Sequence, residues 1–203
     1  VRLLAHGQDF DEAREFADTT AAEEGLSFVP SFDPRLVRGV ASYALELFGA
    51  VQDLDAVYVP IGLGSGICGT IAARDALGLR TEVVGVVSEN APAYAMSFEA
   101  GKPVPTNSAN TFADGVACRV PDTGAVDIIN KGASRIVTVS EDEIKDAMRA
   151  YYTDTHNLAE GAGAAPLAAL LQEKGRMAGK KAAVVLSGGN IDRDMYSSIL
   201  AGH

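Results

Sequence analysis

Apolar positions along the chain fall into two kinds of run. Short blocks rich in Val, Ile and Ala occupy residues 56–61, 82–87, 135–139 and 182–186, each bounded by Gly, Asp or Ser. Continuous blocks of this length suit strands covered on both faces. Between them, at residues 65–77, 92–100, 123–132, 141–153, 161–173 and 193–200, the pattern changes to helical spacing. Upstream, Val1-Arg2-Leu3-Leu4 reads as an opening strand. Asp9 can then cap a helix to about Glu24, with Phe10, Ala13, Ala17 and Ala21 on one face and Gly25 as its stop. A second apolar run, 26–32, ends at Asp33-Pro34, where a helix starts and continues to about Ala50. Its predicted buried stripe is Leu36, Val37, Val40, Tyr43, Ala44 and Leu47. Strand and helix in alternation predict an α/β fold, a mainly parallel twisted sheet covered by helices. Residues 101–110, rich in Pro, Asn, Ser and Thr, read as an exposed loop, and a boundary falls near Pro30 to Pro34.

Composition narrows the classes. A chain of 203 residues, 47% apolar and 22% charged, has the make-up of one well-packed domain with a small appendage. The net charge of -10, with only 17 Lys and Arg spread along the chain, argues against a nucleic-acid partner. No apolar run is long enough to span a membrane and no signal-peptide pattern occurs, so no membrane partner is expected. Cys68 and Cys118 lie at neither metal nor redox spacing, which points to a reducing cytoplasm. The start on Val1, apolar and without an initiator Met, reads either as a chain entered midway or as the edge strand of a natural domain.

Two strand ends carry candidate chemistry. In Val59-Pro60-Ile61-Gly62-Leu63-Gly64-Ser65-Gly66-Ile67-Cys68-Gly69 a buried strand turns through glycines directly into a helix. Glycines let backbone N–H groups approach an anion, and the positive end of the helix dipole faces it. Ser65 can add a hydroxyl. The same residues satisfy the dinucleotide fingerprint G-x-G-x-x-G, with Glu89 standing where a ribose-binding acid would be. A tight turn serving helix-sheet packing alone is the plain alternative. The second end is Val184-Val185-Leu186-Ser187-Gly188-Gly189-Asn190. Ligands of open parallel sheets gather beyond the carboxyl ends of the strands, so both loops are expected on one rim. The plain alternatives are a helix cap for Ser187 and a turn residue of positive φ for Asn190.

In their order and spacing, these segments resemble the fold-type-II pyridoxal-phosphate enzymes, and within them the threonine and serine dehydratases. The resemblance also rests on Gly7-Gln8-Asp9-Phe10-Asp11-Glu12-Ala13, Phe28-Val29-Pro30-Ser31-Phe32-Asp33, Phe112-Ala113-Asp114-Gly115-Val116-Ala117, Val139-Ser140-Glu141-Asp142-Glu143-Ile144 and Glu160-Gly161-Ala162-Gly163-Ala164. It implies the large domain of a tryptophan-synthase-β-like fold over 27–203 and a remnant of the smaller domain over 1–26. Pyridoxal 5'-phosphate is the implied cofactor. Gly62, Leu63, Gly64, Ser65 and Gly66 inherit the phosphate loop, Ser187 the contact to the pyridine nitrogen with Gly188 beside it, and Glu160 a place near the ring. The plain alternative for Glu160 is the acid that favours a helix N-terminus. The implied reaction converts a small β-hydroxy amino acid such as threonine or serine to a 2-oxo acid and ammonia, in a cytoplasmic parent that is a homo-oligomer, dimer or tetramer.

The departures matter as much. Leu63 and Ser65 replace two of the four glycines usual in the family loop, and Gly39-Val40-Ala41-Ser42 stands where many members have G-Q-G-T. After Asp33 the chain runs one residue shorter than the common family segment. Val87 and Ala93 occupy the positions of family metal ligands, so no metal site is expected. The family's Schiff-base lysine lies in an S-F-K-x-R-G-like motif and its substrate carboxylate is gripped by S-x-G-N; neither occurs here. The six lysines, Lys102, Lys131, Lys145, Lys174, Lys180 and Lys181, read as solvated charges. No catalytic residue is therefore assigned, and the chain alone is expected to be inactive. Serine racemase, threonine synthase and β-replacement synthases remain alternatives within the fold. A nicotinamide-dependent oxidoreductase and a non-catalytic remnant remain outside it.

Overall fold

The computed structural model describes residues 2–7 and 10–202. The proposed Asp9 cap falls outside them, as does Val1. Four strands, β1 (Ala56–Pro60), β2 (Glu82–Ser88), β3 (Arg135–Val139) and β4 (Ala182–Val184), form one sheet in the order β3-β2-β1-β4. Every pairing is parallel: Ala56 faces both Glu82 and Ala182, and Val84 faces Arg135. The eight α-helices are α1 (Phe10–Glu23), α2 (Pro34–Ala50), α3 (Ser65–Ala76), α4 (Ala93–Ala100), α5 (Thr123–Gly132), α6 (Glu141–Ala150), α7 (Gly161–Gln172) and α8 (Arg193–Leu200), counted among the described residues. None is long and apolar enough to cross a membrane.

Alternation along the central strands splits the core into two layers. Ala56, Tyr58, Val84, Val86, Val137 and Val139 pack with α6, α7 and α8. Val57, Val59, Val83 and Val87 pack on the opposite face with α2, α3 and α5. At mid-strand, Gly85 leaves room for isoleucine: a Cβ there would lie 2.5 Å from Ile61 Cδ1 and 3.0 Å from that of Ile67, and would also strike Ile136. The first five residues of α7 are all Ala or Gly, so its backbone comes close to two loops at the sheet's carboxyl end. A Cβ on Gly163 would stand 2.6 Å from Gly188 O, and one on Gly161 2.8 Å from Ala113 Cβ.

Most elements lie within a residue or two of the sequence-based expectation, and the differences have local causes. β1 and β2 are covered on both faces, but Thr138 of β3 is exposed and β4 is half-buried throughout, because both are edge strands. The stripe of α2 is Val37, Ala44 and Phe48; Leu36 is 38% exposed, while Val40 and Tyr43 turn toward a cavity. α6 stops at Ala150 and gives way to one wide π turn, Tyr151–Thr155, closed by His156 at φ 56°. A short 3₁₀ turn, Asp114–Val116, which the pattern did not predict, interrupts the long connection between α4 and α5.

The largest difference lies in the first thirty residues. The opening strand does not form: residues 2–7 are irregular, with Leu3 89% exposed. Its backbone N–H and C=O groups have no neighbouring strand, since the sheet is built entirely downstream, and a strand without a ladder has nothing to hold it. The run 26–32 is likewise irregular, with Val29 69% exposed. Of the predicted inner face of α1, only Ala21 is buried.

Candidate functional site

Strand order reverses at β1. Its successors β2 and β3 lie on one side and β4 on the other, which makes the gap between β1 and β4 the switch point where ligands of open α/β sheets bind. A cavity of about 590 Å³ opens there, lined by Pro60, Gly62, Leu63, Gly64, Ser65 and Gly66 after β1 and by Val185, Leu186 and Ser187 after β4. Val40 and Tyr43 of α2 and Gly115 complete its wall. The two glycine-bearing loops thus share one cavity, of a size usual for small-molecule sites.

Local sequence explains the shape of the loop after β1. Gly64 is the N-cap of α3 at φ 96°, a backbone region that side chains disfavour. A Cβ at Gly64 would also lie 2.9 Å from Ala125 Cβ, and one at Gly62 would strike Gly115 O. Beyond Gly64 the helix begins, so the first N–H groups of α3 have no helical acceptor. Gly64 O receives the first helical bond, from Cys68 N–H at 3.0 Å. Among the described residues the cavity lining contains no Asp, Glu, Lys or Arg. It offers N–H donors, the positive end of a helix and the hydroxyls of Ser65, Tyr43 and Ser187. That set suits a phosphate ester joined to a flat, largely apolar ring.

Two tyrosines brace the loop from behind. Tyr94 donates to Leu63 O at 2.8 Å and accepts the Asp122 N–H at 3.2 Å. Tyr43 donates to Gly66 O at 3.1 Å and contacts Thr70 Oγ1 at 2.9 Å. Burial raises the Tyr43 phenol above its ordinary value, against a smaller lowering by Thr70, so it remains a neutral hydroxyl. Both cysteines lie in the core behind this loop. Burial, aided by the Asp122 charge, pushes the Cys68 thiol up to about 12. Burial and then Asp11 push the Cys118 thiol to about 12 as well. Neither is an available thiolate.

The loop after β4 is fastened by Glu160. Glu160 N–H donates to Gly188 O at 3.1 Å, and Asn190 N–H donates to Glu160 Oε2 at 2.8 Å. Gly188 is pressed against this carboxylate: a Cβ there would be 2.6 Å from Glu160 Oε1. Glu160 and Gly188 stand beside the large cavity rather than in its wall, Glu160 bordering a separate hollow of about 150 Å³ with Asp114 and Asn190. The plain reading of Glu160, an acid at a helix N-terminus, fits its position, whereas those of Ser187 and Asn190 do not hold. Glu160 is the N-cap of α7, yet its side chain makes no capping bond. Ser187 caps nothing, since the N-cap of α8 is Asp192, and Asn190 is not at positive φ.

Other candidates lie elsewhere. Glu89 is exposed and outside the cavity lining, and Gly69 packs against α2, where a Cβ would be 3.0 Å from Ala41 N. Val87 and Ala93 sit in the core, and the described residues hold no group of three or more His, Cys, Asp or Glu able to hold a metal. None of the six lysines lines the cavity; Lys145 pairs with Asp142 and Lys181 Nζ donates to Gln52 O. Val40, Pro60 and Gly115 were named only within longer segments and not as site residues, and Tyr94 was not named at all. Tyr94 looks in sequence like any core aromatic of a short helix, and only the partners of its hydroxyl set it apart.

Comparison with known proteins bears on which ligand the cavity holds. A family model described as pyridoxal-phosphate dependent enzyme matches residues 1–188. The chain is 35% identical over 201 residues to an L-threonine ammonia-lyase of Thermotoga maritima, covering 98% of this chain and 50% of that protein. Among solved structures, the processed form of threonine deaminase isoform 2 from Solanum lycopersicum superposes with a TM-score of 0.90 at 28% identity, covering 98% of this chain and 59% of that one. Maize serine racemase gives a TM-score of 0.84 at 25% identity, covering 96% and 62%. The chain thus spans about half the length of the curated relative and about three-fifths of the solved chains.

Proposed function

The chain belongs to the pyridoxal-phosphate dependent enzyme family, and from that premise we propose that it is the cofactor-binding part of a dehydratase that converts a β-hydroxy amino acid, threonine or serine, to a 2-oxo acid and ammonia. The observation that carries this reading is the shared cavity of the two loops, near Gly64 and near Ser187. A nicotinamide site has no comparable support, because Glu89 lies outside that cavity and the relatives are pyridoxal-phosphate proteins.

When bound, pyridoxal phosphate supplies an electron-accepting ring that stabilises negative charge at the substrate Cα. In this proposal the N–H groups of Leu63, Gly64, Ser65 and Gly66 and the Ser65 hydroxyl hold the phosphate. Gly62 allows Gly115 to close the same wall. Ser187 meets the pyridine nitrogen with a neutral hydroxyl, which leaves that nitrogen less protonated than a carboxylate would and favours β-elimination over transamination. Glu160, bonded to Gly188 and Asn190, holds Ser187 at the ring edge. Residues 27–203 form the large domain and residues 1–26 part of the smaller one; the parent is a cytoplasmic homo-oligomer. No lysine reaches the cavity, so the 203-residue chain by itself binds but does not turn over.

The test is to titrate the chain with pyridoxal phosphate by absorbance, reduce with borohydride, map any adduct by mass spectrometry and assay threonine and serine. Saturable binding without a site-specific lysine adduct and without turnover is expected. One stoichiometric lysine adduct with turnover would refute the claim of inactivity, and absence of binding would remove the cofactor assignment.

A further inference from the structure

Tyr94 lies on α4 with only 1% of its surface exposed, outside the cavity lining. The direction of its two hydrogen bonds is fixed by chemistry. The Asp122 N–H can only donate, so the phenol accepts there and sends its own proton to Leu63 O. Leu63 precedes α3, where no helical N–H reaches its carbonyl; the ladder begins one residue later, at Gly64 O. Tyr94 is therefore what ties the Leu63–Gly64 peptide down.

That peptide matters because of what lies on its other side. Within a trans peptide the C=O and N–H point in opposite directions, and the described residues contain no cis bond. Turning Leu63 O inward to the buried phenol therefore turns the Gly64 N–H outward, to the cavity that Leu63 and Gly64 line. Glycine accepts either sign of φ, so at Gly64 the backbone itself does little to prevent this peptide from flipping. A flipped peptide would present a carbonyl oxygen to the anion in place of a donor. Tyr43 acts differently: its acceptor Gly66 O belongs to α3, whose ladder already fixes that carbonyl.

We infer that Tyr94 is a positioning residue for the phosphate site, its hydroxyl holding the Leu63–Gly64 peptide in the orientation that presents the Gly64 N–H to a phosphate. The inference rests on the cofactor reading above. Burial pushes the Tyr94 phenol far above its ordinary value, so it remains a donor across the working pH range.

The experiment compares the full chain with Tyr94→Phe for three probes: pyridoxal phosphate, inorganic phosphate and pyridoxal, which lacks the phosphate. Loss of one charge-assisted donor predicts about tenfold weaker binding of the two phosphate-bearing probes. Affinity for pyridoxal stays unchanged. Equal losses for pyridoxal and pyridoxal phosphate would mean a merely structural role, and no loss for any probe would also overturn the inference. Should the variant not fold, the wild type decides by NMR: inorganic phosphate must shift the Gly64 amide, and a silent Gly64 beside responding Ser65 and Gly66 amides overturns it. A wild type that binds inorganic phosphate through Gly64 but not pyridoxal phosphate would defeat the cofactor reading while supporting the role of Tyr94.

Discussion

The two ends of the same sheet are built from opposite materials. At the carboxyl end, around Gly64 and Ser187, the cavity wall has backbone donors and hydroxyls and, among the described residues, no charged side chain. Toward the amino end, Arg135 at the start of β3 binds Glu173 through two nitrogens, pairs with Glu82 at the start of β2, and lies over the Tyr58 ring at 5.8 Å. Tyr58 in turn donates to Glu173 at 2.6 Å. Charge at that end is satisfied within the protein and joins β1, β2 and β3 to the end of α7. At the other end no charged side chain among the described residues lines the cavity at the positive helix terminus, which leaves room there for an anionic ligand. The contrast separates a region whose charges pair with one another from one whose polar groups line a cavity.

Substitutions at each end should therefore divide cleanly between affinity and stability. The largest effect is expected for Gly64→Asp, which forces a side chain into φ 96°, against Ala125, and brings a negative charge to the proposed phosphate site. Titration with pyridoxal phosphate should show affinity falling by roughly a hundredfold or more, the loss expected when a charge-assisted donor set is both distorted and opposed. Near-normal affinity would break the assignment of this loop. Next, Arg135→Met takes the guanidinium from Glu173 and Glu82, leaving them Tyr58 and the more exposed Arg176. Urea unfolding should report about 2 to 3 kcal/mol of destabilisation, below the full buried-pair value because the side chains retain some solvent contact. Cofactor affinity should not change; a parallel loss would show that the two ends are coupled.

Gly85→Ala sharpens the comparison from the middle of the sheet. Three isoleucine methyls must move, and a cost of about 1 to 2 kcal/mol is expected by the same unfolding assay. A neutral result would mean that this packing has slack. The smallest effect concerns pH. Burial alone would raise the Glu173 carboxyl, but the hydrogen bonds from Arg135 and Tyr58 outweigh it and set it below the ordinary 4.5. The unfolded state then binds the proton more readily, so this contribution is full above the unfolded value and fades as pH falls through the folded one. The stability difference between wild type and Arg135→Met should accordingly be smaller at about pH 3 than at about pH 6. A difference that grows toward acid would contradict the network.

Legibility in the sequence followed burial. Central strands such as Ala56–Pro60 and helices such as Pro34–Ala50 announce themselves because apolar runs and caps act locally. Asp33, for example, caps α2 through the Arg35 N–H at 2.7 Å, as Asp33-Pro34 foretells. The opening run of apolar residues misleads, since alternation says what a segment would do with a partner strand and not whether one is there. The glycine loop was readable as a strand-to-helix turn lined by N–H groups because N–H presentation is a backbone property. Tyr94 and Tyr43 were not, because a hydroxyl that reaches a carbonyl thirty-one or twenty-three residues away leaves no mark at local spacing. Glu160 could be named as near the site, but its part in fastening Gly188 and Asn190 emerges only when α7 is packed against that loop.

The central claim is that the loops after β1 and β4 meet on one small molecule, and an amide NMR titration of the chain with pyridoxal phosphate tests it most directly. The Gly64 and Ser187 amides should move together along one saturation curve with a single dissociation constant. Movement at only one loop, or at both with unrelated constants, would contradict the account.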